Sequence, residues 1–309
     1  MGYYVGIDGG GTKSRLVAVD TNRKVVGEAL GGSTNLSSNS RTEVWNNLND
    51  LFSEGFEKNK LEISDCLGLC IGSAGLDSSR SKDDMVRIIQ EMGFACPISA
   101  VNDSQLVLAA ATKGEPGVVV ISGTGSIAYG LDENGNTIRC GGWGHLIDDG
   151  GSGYWMGKEA LKAALCAFDG RGPQTVLVDM FKREFKIETL SDCVDIIYRR
   201  LNKSDISRYS FYVEKGAMAE DKVCISIVRN AARELFNLAD AVLKRLGSND
   251  LSVIVSGGNI LNNKLLNKMF VKIMKEAYPR VLVVELSQKP VTGAVHLAME
   301  CKRAVERKV

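Results

Sequence analysis

The stretch Tyr3-Tyr-Val-Gly-Ile-Asp-Gly-Gly-Gly-Thr-Lys-Ser-Arg-Leu-Val-Ala-Val19 decides the fold. Tyr3 to Ile7 reads as a buried strand, the Gly triplet as a tight turn, and Arg15 to Val19 as a second strand. Asp20-Thr-Asn-Arg23 makes a further turn, and Val25 to Leu30 a third strand. A strand that turns into another strand is not the strand-turn-helix of a dinucleotide fold. Nor is the turn a Walker A loop, because no Gly-Lys-Ser/Thr follows and no helix begins there. Glycines without Cβ atoms let backbone N–H groups approach phosphate oxygens. Gly10, Gly11, Thr12 and Lys13 are therefore candidate phosphate contacts. Asp8 cannot favour a phosphate directly, but a strand-end carboxylate suits Mg²⁺, which keeps several waters. Alone, the stretch is equally an ordinary glycine hairpin.

The same arrangement recurs further along. Gly114-Glu-Pro-Gly117 punctuates the chain, after which Val118–Ile121, Ser122-Gly-Thr-Gly125 and Ile127–Leu131 again read strand, glycine turn, strand. Thr124 and Gly125 become candidates for a second phosphate grip. The restart divides the chain into expected domains at 1–115 and 116–309, with a terminal helix over about 290–309 able to pack back on the first. Helices are expected at Thr42–Lys58, Asp83–Met92, Gln105–Thr112, Tyr154–Phe168, Gln174–Phe185, Ser191–Leu201, Lys222–Leu246, Leu261–Ala277 and Val291–Arg307.

Composition excludes several classes. The 309 residues suffice for two domains, and 38 Lys+Arg against 37 Asp+Glu leave no basic excess for nucleic acid or a membrane surface. No apolar run approaches the ~20 residues of a membrane span. The eight Cys form no Cys-x-x-Cys pair, and several sit in apolar stretches, so reduced thiols in a cytoplasmic protein are expected. The N-terminal residues read directly as a strand, and no cleaved leader is expected.

Three more segments carry chemistry. Asn102-Asp103 follows the short strand Ile98–Val101; there Asp103 is either a general base for a hydroxyl or the cap of the following helix. Cys140 to Trp155 packs six Gly, two Trp, a Tyr, a His and two Asp into sixteen residues. Such a loop suits a sugar, with apolar faces and a hydroxylated rim, or is simply a structural loop around buried Trp. Gly257-Gly258, after the strand Leu251–Val255, lets a flat ring approach the backbone or is only a turn. Two His, with no clustered Cys, make no zinc site.

Together these motifs resemble the BadF/BadG/BcrA/BcrD-type ATPase family, and within it the N-acetylglucosamine and N-acetylmuramic acid kinases. Phosphate hairpin, Asn-Asp, second hairpin, Gly-Gly-Trp-Gly-His loop and Gly-Gly turn follow in the family's order, from Gly6 to Thr292-Gly-Ala294. The resemblance implies an α/β fold of two actin-like ATPase (ribonuclease H-like) domains with a cleft between them. It implies an ATP:sugar phosphotransferase in which Asp103 deprotonates the sugar 6-hydroxyl for attack on MgATP, with Asp8 organising Mg²⁺. Gly10–Lys13 and Thr124-Gly125 would hold phosphates, and Gly257-Gly258 would face adenosine. Asn35, Gly142, Trp143, Gly144, His145 and Asp149, with Asp103 and Thr124, would line the amino-sugar pocket. Homodimers and a role in peptidoglycan recycling are also implied.

One departure stands out. Relatives often read Asp-Glu-Gly-Ser where this chain has Asp149-Gly150-Gly151-Ser152, and the missing carboxylate suggests room for a lactyl group. Glucosamine is the alternative acceptor. A second branch of the family activates 2-hydroxyacyl-CoA dehydratase or benzoyl-CoA reductase systems through a shared [4Fe–4S] cluster. Here no Gly-rich loop presents a Cys pair, and Cys66 and Cys70 fall in and beside the expected strand Leu67–Ile71. A sugar-sensing regulator would need a DNA-binding extension that is not visible.

Overall fold

The computed structural model describes residues 2–306; Met1 and residues 307–309, the end of the expected terminal helix, lie outside the described residues. The chain divides into two compact units, Met1–Gly114 with Ser287–Val309, and Glu115–Leu286.

In the first unit β1 (Tyr3–Gly9), β2 (Ser14–Asp20) and β3 (Val25–Gly31) form an antiparallel meander. Then come α1 (Arg41–Glu57), β4 (Cys66–Ser73), α2 (Ser79–Glu91), β5 (Ile98–Val101) and α3 (Asp103–Thr112). β4 and β5 extend the sheet in parallel, giving the order β3-β2-β1-β4-β5. Period-two alternation gives the sheet two different faces. Val5, Ile7, Leu69 and Ile71 are fully buried in the core with Leu48, Leu51, Met85 and Ile88 from α1 and α2. The opposite face carries Gly6, Gly68, Cys70 and Gly72, and small residues there admit helices closely. A Cβ on Gly6 would sit 2.5 Å from the Val295 nitrogen, and one on Gly72 would run into Leu106.

The second unit repeats this order. β6 (Gly117–Ser122), β7 (Ser126–Leu131) and β8 (Thr137–Gly141) form the meander. A helical stretch follows: α4 (Gly153–Phe168), α5 (Leu177–Phe185), α6 (Cys193–Arg200), α7 (Lys203–Arg208), α8 (Ser210–Met218) and α9 (Lys222–Leu246). β9 (Val253–Ser256) and β10 (Val283–Glu285) then add in parallel, with α10 (Gly258–Asn262) and α11 (Lys264–Ala277) between them. The sheet order is β10-β9-β6-β7-β8, the mirror in numbering of the first. α9 buries Ala231, Leu235, Ala239 and Val242 against Val118, Val120 and Val255. The last helix, α12 (Pro290–Glu306), packs on α3, β1 and β4 of the first unit. There Gly293 lies so close to the Leu106 carbonyl that a Cβ has no space. Among the described residues no helix is long and apolar enough to cross a membrane.

Two expectations change in detail. The segment Leu261–Ala277 is not one helix: Asn263 breaks it and caps α11, its Oδ1 accepting the Leu266 N–H at 2.9 Å. α7 and α8, unassigned in the sequence, fill residues 203–218, with an Asn202/Asp205 capping box starting α7.

Candidate functional site

The first unit gathers its candidates at the carboxyl ends of its parallel strands. Asp8 on β1 is level with Gly72 on β4, which is level with Val101 on β5, and Asp103 follows two residues on. Ligands of open α/β sheets bind at such ends. The Gly10 N–H donates to the Lys13 carbonyl at 2.8 Å and closes the hairpin, leaving Gly11, Thr12 and Lys13 exposed. The Ser33 hydroxyl donates to the Gly10 carbonyl at 3.1 Å and accepts the Asn35 N–H at 3.3 Å, tying the Asn35 loop to the hairpin. The Asn35 carboxamide oxygen accepts the Ser37 N–H at 2.8 Å and so shapes its own loop.

Asn102, not Asp103, caps α3. Its Oδ1 accepts the Ser104 N–H at 3.0 Å, its Nδ2 donates to Asp77 at 2.9 Å, and Gln105 completes the capping box. The capping alternative for Asp103 is thereby corrected, and the carboxylate stands in the first turn. Burial raises its pKa above the ordinary carboxylate value; the Ser104 N–H, at 2.9 Å, partly offsets this, and the Asp77 charge adds to it. Asp8 is raised too, first by burial and then by the charge of Asp103, against the opposing Lys13 and Arg15. A half-buried carboxylate whose ionisation is opposed by burial and by the Asp103 charge is an environment a divalent cation relieves. Among the described residues no three His, Cys, Asp or Glu side chains converge into a metal cage. A strand-end carboxylate such as Asp8 is the kind of donor Mg²⁺ takes, the rest of its shell being water and phosphate.

In the second unit the β6–β7 hairpin is braced from three sides. The Ser122 hydroxyl donates to the Gly151 carbonyl at 2.9 Å, and the Ser126 hydroxyl donates to the Gly150 carbonyl at 2.7 Å. Asn259 Nδ2 donates to Ser122 Oγ at 3.0 Å and to the Gly151 carbonyl at 3.2 Å. The loop before α4, the hairpin and the turn after β9 are thus one hydrogen-bonded assembly. Gly257 has φ +98° and lies directly against the Ser122 carbonyl, where a side chain has no room. Gly258 instead lines a cavity of about 610 Å³ with Gly123, Thr124, Arg208, Phe211, Glu214 and Asn259. That volume is within the range of small-molecule sites. Hairpin and glycine turn therefore meet at one cavity, and Gly258 alone of the glycine pair lines it.

The loop after β8 holds its aromatics differently. Trp143 is 67% exposed, with the Arg139 guanidinium 4.6 Å from its ring centroid. The Trp143 N–H donates to Asp148 at 3.1 Å, and the Gly144 carbonyl accepts the Asp148 N–H at 2.8 Å. His145 meets Tyr154 edge-on at 4.8 Å. Gly142 and Gly144 both take positive φ in this bend. Asp149 lies on the buried side: its side chain is 4% exposed and receives the Lys203 ammonium at 2.8 Å and the Ser126 N–H at 3.3 Å. Its carboxylate is thus engaged on both oxygens from within the second unit. The expected opening at Gly150 is filled, since a Cβ there would meet the Glu234 side chain of α9 at 3.0–3.2 Å.

Lys203, Arg208, Phe211, Glu214 and Asn259 were not singled out by the sequence. The Asn202-x-x-Asp205 box and the aromatic run Tyr209, Phe211, Tyr212 were the available signals for the α7–α8 segment.

The sequence profile of the BadF/BadG/BcrA/BcrD ATPase family matches residues 5–298, and the chain belongs to that family. Over 305 residues it is 36% identical to the N-acetylmuramic acid/N-acetylglucosamine kinase of Clostridium acetobutylicum, covering 97% of this chain and 100% of that protein. It is 31% identical over 320 residues to the N-acetyl-D-glucosamine kinase of Dictyostelium discoideum, covering 97% and 98%. A solved structure from Chromobacterium violaceum superposes with TM-score 0.78 at 24% identity, covering 96% of this chain and 99% of that one. The ROK hexokinase of Thermus thermophilus superposes with TM-score 0.63 at 12% identity, covering 98% and 99%. These likenesses establish the α/β fold of actin-like ATPases, with its two repeated sheets.

Proposed function

We propose that the protein is an ATP-dependent amino-sugar kinase that phosphorylates the 6-hydroxyl of N-acetylglucosamine, N-acetylmuramic acid, or both. The observation that carries this reading is the cavity shared by the Gly123-Thr124 hairpin and Gly258. It is supported by relatives more than 30% identical over nearly the whole chain, each named as a kinase of these sugars.

In this reading Asp103 is the general base, and burial tunes it toward accepting a proton. Asp8 holds Mg²⁺, which when bound neutralises developing phosphate charge. Backbone N–H groups of Gly11–Lys13 and of Thr124-Gly125 hold phosphates, Gly10 shapes the turn through its own N–H on the Lys13 carbonyl, and catalysis is chiefly positioning and charge stabilisation. Gly258 borders adenosine, while Gly257 keeps the turn against Ser122. Trp143, Gly142, Gly144 and His145 contribute sugar contacts, as does Asn35. Asp149 supports the hairpin through the Ser126 N–H and also accepts from sugar hydroxyls. The dehydratase-activator alternative is disfavoured by Cys66 and Cys70, both buried on β4 and unable to present a thiolate pair at a surface. A role in peptidoglycan salvage, in the cytoplasm and as a homodimer, belongs to the same proposal.

The test is an ADP-release assay with N-acetylglucosamine, N-acetylmuramic acid and glucosamine, on wild type and Asp103→Asn. Turnover of at least one N-acetylated sugar, lost in the variant, is expected. Equal phosphorylation by both proteins removes Asp103 as base, and no sugar turnover removes the kinase reading.

A further inference from the structure

We propose that Lys203 is a phosphate-facing cation of the nucleotide site, held in place by Asp149. The inference rests on the nucleotide reading of the second unit given above. A Cβ added to Gly125 would lie 3.1 Å from both Asp149 carboxylate oxygens, so this carboxylate sits immediately behind the hairpin backbone that grips phosphate. A buried carboxylate there would be costly by itself, and would repel an anionic ligand on the hairpin. Lys203 cancels it through the 2.8 Å ion pair.

The pair is lopsided in a way that suits a ligand. Asp149 is 4% exposed and has Lys203 on one oxygen and the Ser126 N–H on the other, whereas Lys203 is 35% exposed. An ammonium has three donors, and a single carboxylate oxygen takes one. Helix chemistry does not account for the residue. Lys203 is the first residue of α7, where the helix dipole disfavours a cation and the Asn202/Asp205 box already caps the end. Its helix neighbours Ser204, Ser207 and Arg208 line the same cavity as Gly123 and Thr124, while the Lys203 side chain itself runs to Asp149 outside that lining. The half-exposed ammonium is therefore next to the cavity wall and one carboxylate away from the hairpin backbone, from where a turn of its flexible stem reaches a bound phosphate.

Calorimetric binding of ATP, ADP and AMP to wild type, Lys203→Met and Lys203→Arg tests this without any sugar. Lys203→Met is expected to weaken ATP by at least about tenfold, ADP by less, and AMP hardly at all, with Lys203→Arg recovering most of the loss. An equal loss for all three nucleotides marks Lys203 as a structural brace and overturns the proposal, as does unchanged ATP affinity. Should Lys203→Met fail to fold, the charge-balanced Lys203→Met/Asp149→Asn protein takes its place, and it should fold yet still lose the preference for ATP over AMP. Wild-type sugar turnover, measured in parallel, judges the kinase reading separately: ATP binding with no turnover sinks that reading and leaves this inference standing.

Discussion

Gly257 and Gly258 are adjacent and alike in sequence, yet substitution by Ala should have opposite consequences. At Gly257 the backbone adopts φ +98° and ψ 142°, a region essentially reserved for glycine. Forcing Ala there costs on the order of 1–3 kcal/mol. A Cβ would also press on the Ser122 carbonyl and the Gly123 nitrogen, both rigid backbone at the root of the hairpin. Relieving that contact means moving the hairpin, which adds about 1–3 kcal/mol. A total of about 2–6 kcal/mol lowers the melting temperature of a unit this size by roughly 4–24 °C. The displaced hairpin should raise the KM for ATP as well. At Gly258 a Cβ meets only Asn262 Nδ2 at 3.6 Å, ordinary contact, and the residue begins a helix. Gly258→Ala should leave stability unchanged or raise it by up to ~1 kcal/mol. Because Gly258 lines the cavity, its ATP KM should rise without any loss of melting temperature. Differential scanning calorimetry with ATP titrations on both variants decides the matter. A Gly257→Ala protein as stable as wild type would refute the packing argument.

Asn102→Ala should cost about 0.5–2 kcal/mol through the lost α3 cap, whereas Asp103→Asn should keep the melting temperature and lower kcat by about 10²–10⁴. If both variants lose stability alike, Asp103 is structural. The rate should fall as pH drops through the pKa of Asp103: the base works only unprotonated, and burial moves that limb above the ordinary carboxylate range. A pH-rate profile whose acid limb sits at or below that range contradicts the assignment. Glu234→Ala should increase turnover of N-acetylmuramic acid relative to N-acetylglucosamine by several-fold, because a carboxylate next to Gly150 opposes an anionic lactyl group. An unchanged ratio in a two-sugar competition assay removes Glu234 from specificity.

The features legible in the sequence were those whose chemistry is local. A strand, a glycine turn and a returning strand are specified within about fifteen residues, so both hairpins could be read directly. The repeated meander followed from them, since β1 and β6 each turn back on the next strand. What pairs across distance was illegible. The Asp149–Lys203 contact spans 54 residues, and the Asn259–Ser122 contact 137. No spacing rule links such positions. The same limit explains Asp103: residue type and place at a strand end suggested either a base or a cap, and only the Asn102 side chain bonded to Ser104 and Asp77 separates the two. It also explains Gly150. Read alone, a missing carboxylate meant vacant space, but the fold fills that space with Glu234 from a helix eighty-odd residues later. Gly150 therefore makes sense only with Glu234 in view: the helix side chain occupies the space that a Cβ at 150 would need, and it brings a carboxylate beside the loop.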